Sequence, residues 1–326
     1  MTQPAQNVTP KYRRLFGPVL SRRLGRSLGV DMLPFKTCTY NCVYCEQGRT
    51  TRHTTRREEY VPVSEILAEL DHFLSSRPAP DYVTLSGAGE PTLHARLGDI
   101  VEGVKIRTNA PLAVLTNGSL LWDAEVREAL RDADLVLPSL DAGNARLYER
   151  INRPAPGLPF EQMLDGLSAF RDSFRNAIWL EVMLMEGINA EESEVREIAD
   201  QVWHSRPDRV QLNTVARPPA ESFAVPVSRA RLETLAALFS PRAEVIADYS
   251  GVPEELDAYP TAGPILELLK RRPCPVSEIA VALGLRAVEV SKLLQRLLEE
   301  NAVVEKRLGG VAFFAAAHGA DEEAVE

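Results

Sequence analysis

The stretch Lys36-Thr37-Cys38-Thr39-Tyr40-Asn41-Cys42-Val43-Tyr44-Cys45 sets three of the chain's four cysteines within eight residues, spaced C-x3-C-x2-C. Three thiols so close cannot all face a core, and they cannot pair off completely as disulfides. They can converge on one inorganic centre. A 4Fe–4S cube held by three cysteines leaves one iron without a protein ligand, open to a small molecule. The alternatives are a zinc knuckle or a scatter of buried thiols. Structural zinc takes four ligands, commonly in two short pairs, and no fourth Cys or His lies near, His53 being the closest.

Upstream of the loop, Val30-Asp31-Met32-Leu33-Pro34 reads as a short first strand. Phe16-Gly17-Pro18-Val19 and Ser21 to Gly29 are too rich in Gly and Arg for a regular element, so residues 1–27 are expected to form a basic lead-in. Downstream, the pattern alternates. Helix is expected over 63–74, with Ile66, Leu67, Leu70, Phe73 and Leu74 on one face and Ser64 as N-cap. Further helices are expected over 95–106, 123–132, 160–173 and 191–203, interleaved with strands over 82–86, 112–116, 134–139, 178–185 and 208–213. Strands alternating with helices of this length predict βαβ units and a parallel sheet. Six such units make an α/β chain fitting a partial (β/α)6 TIM-like barrel over residues 28–248. Helix 228–239 would close its open side, and 243–247 would add a last short strand.

In a parallel barrel the C-terminal strand ends open on one face, where sites are built. Polar or Gly-rich groups stand there repeatedly: the cysteines, Gly87-Ala88-Gly89-Glu90-Pro91, Asn117, then Ser139 with Asp141, Gly187 with Asn189, and Asn213 with Arg217. One Asn at a strand end is an ordinary turn residue; polar groups at six successive ends are a pattern.

The cysteine spacing, with Tyr44 in the aromatic position before Cys45, resembles the signature of the radical S-adenosylmethionine (radical SAM) superfamily. That resemblance implies a partial (β/α)6 barrel with a 4Fe–4S cluster on Cys38, Cys42 and Cys45. It also implies S-adenosylmethionine chelated to the unique iron through its amino and carboxylate groups. An electron from the reduced cluster would cleave the sulfonium to methionine and a 5′-deoxyadenosyl radical, which abstracts hydrogen from a substrate. Gly87-Ala88-Gly89-Glu90-Pro91 resembles the superfamily's "GGE" segment, which makes Gly87, Gly89 and Glu90 candidates for the SAM amino group. Glycines let a strand edge approach a ligand closely, and a carboxylate balances a cationic amine. Asn117, Ser139 and Asp141 are candidates for ribose and carboxylate contacts. Arg153 is a candidate for the SAM carboxylate or the substrate, with a surface loop as the alternative. The expected reductant is a protein such as a ferredoxin or flavodoxin.

Several segments are similar to a narrower bacterial group classed with wyosine-type tRNA-modifying synthases. They are Ser21-Arg22-Arg23-Leu24-Gly25, Leu28-Gly29-Val30-Asp31, Cys42 to Thr51, Ser86 to Leu93, Ile151-Asn152-Arg153-Pro154 and Gln211-Leu212-Asn213. The similarity runs over roughly residues 12–250. Wyosine-type synthases carry a second cluster on further cysteines, whereas only Cys274 is left over here. The pyruvate-dependent reaction therefore does not carry over.

Residues 249–263, with Gly251, Pro253, Pro260 and Gly263, read as a linker. Helices over 264–271, 276–284 and 287–301 follow, then a hairpin with strands 303–307 and 311–314. This resembles a winged-helix domain over 264–316, ahead of an acidic tail, 317–326. Residues 260–316 carry a balance of only +2, too little for a DNA-reading helix, so an RNA, peptide or dimer contact suits it better. Cys274 is expected to be a half-buried structural thiol.

Hydrophobic content of 45% and charged content of 25% fit a globular chain, and no apolar run is long enough to span a membrane. A polar start and clustered cysteines predict a cytoplasmic protein rather than a secreted disulfide framework. The net charge of −9 is unevenly spread: residues 1–57 carry +9 and the remainder −18. The basic stretch reads either as solvated arginines or as a positive rim for an anionic substrate or acidic electron donor. Two functions follow. One is a radical SAM enzyme acting on RNA or protein; the other is a nucleic-acid-binding regulator whose cluster senses redox state or SAM.

Overall fold

A computed structural model describes residues 12–21, 23–247, 262–283, 285, 287–308 and 310–317, the side chains of 287–289 and 292 excepted. Most of the expected linker and nearly all of the acidic tail lie outside the described residues.

The chain opens with two strands where a lead-in without regular structure was expected. Strands β1 (Leu15–Ser21) and β2 (Gly25–Val30) pair antiparallel. The glycines that argued against strands serve the pairing. Gly29 lies directly under the Phe16 ring, where any side chain would collide. Leu15, Leu28 and Val30 supply the buried face. After the short strands β3 (Thr37–Cys38) and β4 (Arg52–His53), which pair with each other in parallel, the alternation begins. Helix α1 (Val63–Ser76) leads to β5 (Tyr82–Leu85), and α2 (Leu97–Lys105) to β6 (Leu112–Thr116). Then come α3 (Ala124–Ala129), β7 (Leu135–Pro138), α4 (Ala145–Ile151), α5 (Phe160–Ser173) and β8 (Ala177–Leu184). Finally α6 (Glu192–Ser205) precedes β9 (Arg209–Thr214), and α7 (Arg229–Ala236) precedes the two-residue β10 (Glu244–Val245).

The main sheet has eight strands in the order β1-β2-β5-β6-β7-β8-β9-β10. Every pair after β1–β2 is parallel. Because the order follows the chain, each helix crosses back beside the strand before it, and the strand ends carrying the site all point one way. The apolar faces pack as the periodicity predicts, with Ile66, Leu70 and Phe73 of α1 buried. Ser64 does not cap that helix. It starts one residue earlier behind Pro62, and the carboxylate of Glu59 accepts the Val63 amide at 3.1 Å. Helix α4 has no counterpart in the periodicity; Asn144 caps it through the Leu147 amide.

The C-terminal part comprises α8 (Ala262–Arg271), α9 (Val276–Leu283), α10 (Ala287–Glu299) and an antiparallel hairpin of β11 (Val303–Leu308) and β12 (Val311–Ala316). It has its own core, including Ile265, Leu268, Ile279, Val290 and Leu294, with Val19 of β1 packed against it. Cys274 is fully buried in that core rather than half-buried, because its backbone pairs with Phe314 of β12 in both directions at 2.9 Å.

Candidate active site

The cysteine loop leaves β2 and is fastened to the segment after β5 by backbone bonds. The Lys36 amide donates to Ala88 O at 2.8 Å, and the Glu90 amide donates to Thr37 O at 3.1 Å. This explains the two glycines. A side chain at Gly89 would run into the Thr37 carbonyl, and one at Gly87 (φ +147°) would meet the Asp31 carboxyl at 2.5 Å. In this structure their smallness serves the docking of the cysteine loop.

The three thiols are each half-buried and unbridged. N–H donors from several elements point at the sulfurs. Lys36 Nζ lies 3.0 Å from Cys45 Sγ, and the Tyr40 amide lies 3.4 Å from Cys38 Sγ. Asn117 Nδ2, after β6, is 3.6 Å from Cys38 Sγ, and Asn152 Nδ2, at the end of α4, is 3.7 Å from Cys42 Sγ. Burial pushes the Cys38 thiol up to about 12, with Glu90 adding to the rise, and burial likewise raises Cys42. Such thiols keep their protons until a cationic centre displaces them. Soft sulfur ligands ringed by N–H donors are the donor set an iron–sulfur cluster takes. The residues fit that group. Among the described residues, no three His, Cys, Asp or Glu side chains form a set suited to a single metal ion; a cube differs in taking each cysteine on a separate iron.

The two acidic candidates both accept several hydrogen bonds from neighbouring residues. Glu90 is 2% exposed. Its carboxylate accepts from Thr92 Oγ1 (2.6 Å), Thr92 N (3.1 Å), Thr116 Oγ1 (2.6 Å) and Asn117 N (2.7 Å), tying the segment after β5 to the end of β6. Burial raises its pKa, and those four bonds act against the rise. Asp141 accepts from Tyr44 OH (2.5 Å), Asn152 Nδ2 (2.8 Å) and Met183 N (2.9 Å). It therefore orients the aromatic residue before Cys45 and the amide that faces Cys42. Burial pushes Asp141 up to about 6 against the lowering effect of these bonds. Asn117 also bonds Thr39 Oγ1 at 2.7 Å. Ser139 is half-buried, its amide on Thr116 O at 3.2 Å. Arg153 adopts φ +46° and pairs with Glu221 at 2.6 Å beside the cysteine loop. Asn189 is a buried brace, bonding Asp141 O and Met183 O at 2.8 Å each.

A cavity of about 400 Å³ opens beside this loop. Tyr44, Cys45, Glu46 and Gly87 line it, together with Phe16, Arg23, Ser27, Glu181, Met183 and Asn213. Leu268, Arg271 and Arg272 of the C-terminal part complete the wall. Among the candidate site residues, Cys45 and Gly87 line it, whereas Cys38, Cys42, Gly89, Glu90, Asn117, Ser139 and Asp141 do not. Charged side chains dominate its far side. Arg23 pairs with Glu181 and reaches Gln211 Oε1 at 3.3 Å, while Asn213 Nδ2 donates to Glu181 at 3.2 Å. Arg217, 4% exposed, bridges Glu46 (2.7 Å) and Glu278 (2.5 Å), which also takes Arg272 (2.6 Å). Arg271 pairs with Asp31.

Sequence reasoning missed Asn152, Glu181, Arg23 and Glu278 as site groups. Glu181 carried a signal: it is the one charge in the otherwise apolar run Ile178-Trp179-Leu180-Glu181-Val182-Met183-Leu184. In the basic stretch, Arg14, Arg26, Arg49, Arg52, Arg56 and Arg57 form ion pairs, several of them exposed, with Glu65, Asp81, Glu221, Glu58, and Asp123 with Glu125. The excess acid of the later chain is what neutralises them.

Residues 32–201 match the family described as the Radical SAM superfamily. A Brachyspira hyodysenteriae protein named GTPase Obg is 38% identical over 94% of this chain, which spans only 45% of that protein. The UPF0026 protein MJ1312 of Methanocaldococcus jannaschii is 34% identical over 69% of this chain and 70% of its own length. A UPF0026 protein of Helicobacter pylori is 31% identical over 93% and 97%. Among solved structures, a radical SAM methyltransferase from Sphaerobacter thermophilus superposes with a TM-score of 0.51 at 16% identity, covering 67% of this chain and 65% of that one, a likeness of fold.

Proposed function

The chain belongs to the radical SAM superfamily and to the UPF0026 group of proteins, and from that premise we propose that Cys38, Cys42 and Cys45 hold its cluster. It is an enzyme whose cofactors are a 4Fe–4S cluster and S-adenosylmethionine. When bound and reduced, the cluster supplies the electron for reductive cleavage of the sulfonium, and an external donor such as a ferredoxin or flavodoxin replenishes it. One observation carries the assignment of the ligands. Three unbridged thiols sit in one loop, each facing an N–H donor, and Cys45 lines a cavity with Gly87 of the glycine segment.

In this reading the residues divide the work. Asp141 fixes Tyr44, and Asn117 and Asn152 fix the sulfurs of Cys38 and Cys42. Gly87 presents backbone to S-adenosylmethionine on the cavity side, and Ser139 and Asn117 remain candidates for its ribose and carboxylate. Glu90 serves by holding the Asn117 amide rather than by meeting the ligand directly. Substrate enters where the sheet and the C-terminal part meet. The sequential parallel order supports a partial (β/α)6 barrel, and three helices with a hairpin support a winged-helix-like module that presents a substrate, RNA or protein. The similarity to the wyosine-type group stays at the level of the shared core. The regulator reading gains no support from a family match to enzymes. Among the described residues no helix is long and apolar enough to cross a membrane.

The test is anaerobic reconstitution with iron and sulfide, then reduction in the presence of S-adenosylmethionine. Wild-type protein is expected to yield 5′-deoxyadenosine and methionine. Failure to do so with a loaded cluster would remove the proposal.

A further inference from the structure

Among the described basic residues of the N-terminal segment, Lys36 is set apart by its burial. Its side chain is buried, 3% exposed, yet among the described residues its one polar contact is Cys45 Sγ at 3.0 Å. The nearby buried carboxylate, Glu90, is already filled by Thr92, Thr116 and Asn117. A buried ammonium without an anionic partner is costly. The backbone shows that the position is enforced. Lys36 adopts φ +55°, a left-handed conformation uncommon for a long side chain. Three bonds clamp it there: Lys36 N to Ala88 O at 2.8 Å, and Thr51 N and Arg52 N to Lys36 O at 3.2 and 3.0 Å. Strain held this firmly at a site reports a purpose for the group it aims.

We infer that Lys36 is a positioning residue whose ammonium takes the cluster's negative charge as its counter-ion through Cys45, and thereby raises the cluster's reduction potential. The reasoning is electrostatic. One-electron reduction adds a negative charge to the cluster, and a fixed cation hydrogen-bonded to a ligand sulfur stabilises the reduced form more than the oxidised one. Desolvation strengthens the effect, since little water reaches the ammonium to screen it. The proposal rests on Cys45 being a cluster ligand.

The experiment uses the full chain, reconstituted anaerobically as wild type, Lys36→Met and Lys36→Arg. Iron and sulfide per chain are measured, and the cluster's midpoint potential is read by EPR during a redox titration with dithionite. Lys36→Met, which keeps the length and removes the charge, is expected to lower the reduced-to-oxidised ratio at fixed potential at least tenfold, a shift of about 59 mV for one electron. Lys36→Arg is expected to stay nearer wild type. An unchanged potential in a fully loaded Lys36→Met protein would overturn the inference while leaving the ligand assignment intact. If Lys36→Met fails to load, loading restored in Lys36→Arg supports the charge. Failure of both variants assigns Lys36 a packing role and overturns it. A wild type that takes up no iron overturns both this inference and the assignment beneath it.

Discussion

The cysteine loop and the C-terminal module border the same cavity but are fastened by different physics. The loop is held mainly by backbone bonds and by two buried carboxylates, Glu90 and Asp141, that accept from neutral donors. The module is fastened by guanidinium–carboxylate pairs: Arg217 and Arg272 on Glu278, and Arg271 on Asp31. Neutral bonds around a saturated carboxylate have one good geometry, and losing one partner leaves a buried donor bare. Ion pairs tolerate displacement, because charge attracts over a range of distances. The wall formed by the cysteine loop is thus fixed more rigidly than the wall formed by the C-terminal module.

That contrast can be broken at several points. The largest effect is expected from Cys42→Ala, which should abolish both retained iron and S-adenosylmethionine cleavage while the far-UV circular dichroism stays as in wild type. Asp141→Ala should come next. It strands three buried donors, on Tyr44, Asn152 and Met183, and is expected to cost about 4 kcal/mol in urea unfolding. Iron retention should fall with it. The same carboxylate gives the loop a pH signature. Burial holds Asp141 up to about 6, so between the ordinary carboxylate range and that value the unfolded chain has released a proton that the folded chain still keeps. Stability of the iron-free protein should therefore decline as pH rises through this window, by roughly 3 kcal/mol, and level off above it. Asp141→Asn should flatten that profile.

Gly89→Ala forces a methyl group against the Thr37 carbonyl and should cost about 2 kcal/mol, with weakened cluster retention as the readout. The smallest effect is expected from Glu278→Gln. An acceptor remains for both guanidiniums, Arg217 keeps Glu46 as its counter-charge and Arg272 is part-exposed, so the loss should be about 1 kcal/mol, seen as faster proteolysis within the module while the cluster stays loaded. If Glu278→Gln instead matched Asp141→Ala in cost or in iron loss, the distinction between the two walls would fail.

Much of the frame was legible in advance, since the alternation of strand and helix is a local pattern. Helix α5 falls on the expected 160–173 and strand β6 on 112–116. The failures came where context outweighed local preference. Residues 16–19 and 21–29 looked too rich in Gly and Arg for strands, yet Gly29 is what lets Phe16 lie across β2. At the site, the cysteines were visible by spacing alone, but the duties of Glu90 and Asp141 were not. A carboxylate at a strand end looks the same in sequence whether it faces a ligand or a neighbouring amide. Counter-charges were equally hidden. Arg57 pairs with Asp123 and Glu125, far along the chain, and a running charge balance cannot register that.

Asp31 carries a consequence for how such proteins are inherited. Its carboxyl lies where a side chain at Gly87 would go, and it also receives Arg271 from the C-terminal module. One acid therefore abuts the glycine segment and pairs with the C-terminal module at once. A relative that lost the module, or exchanged it for another, would be left with a bare buried charge beside the glycine segment. Such a lineage should show a neutral residue at position 31, or a replacement cation elsewhere, so that core and appendage change together or not at all.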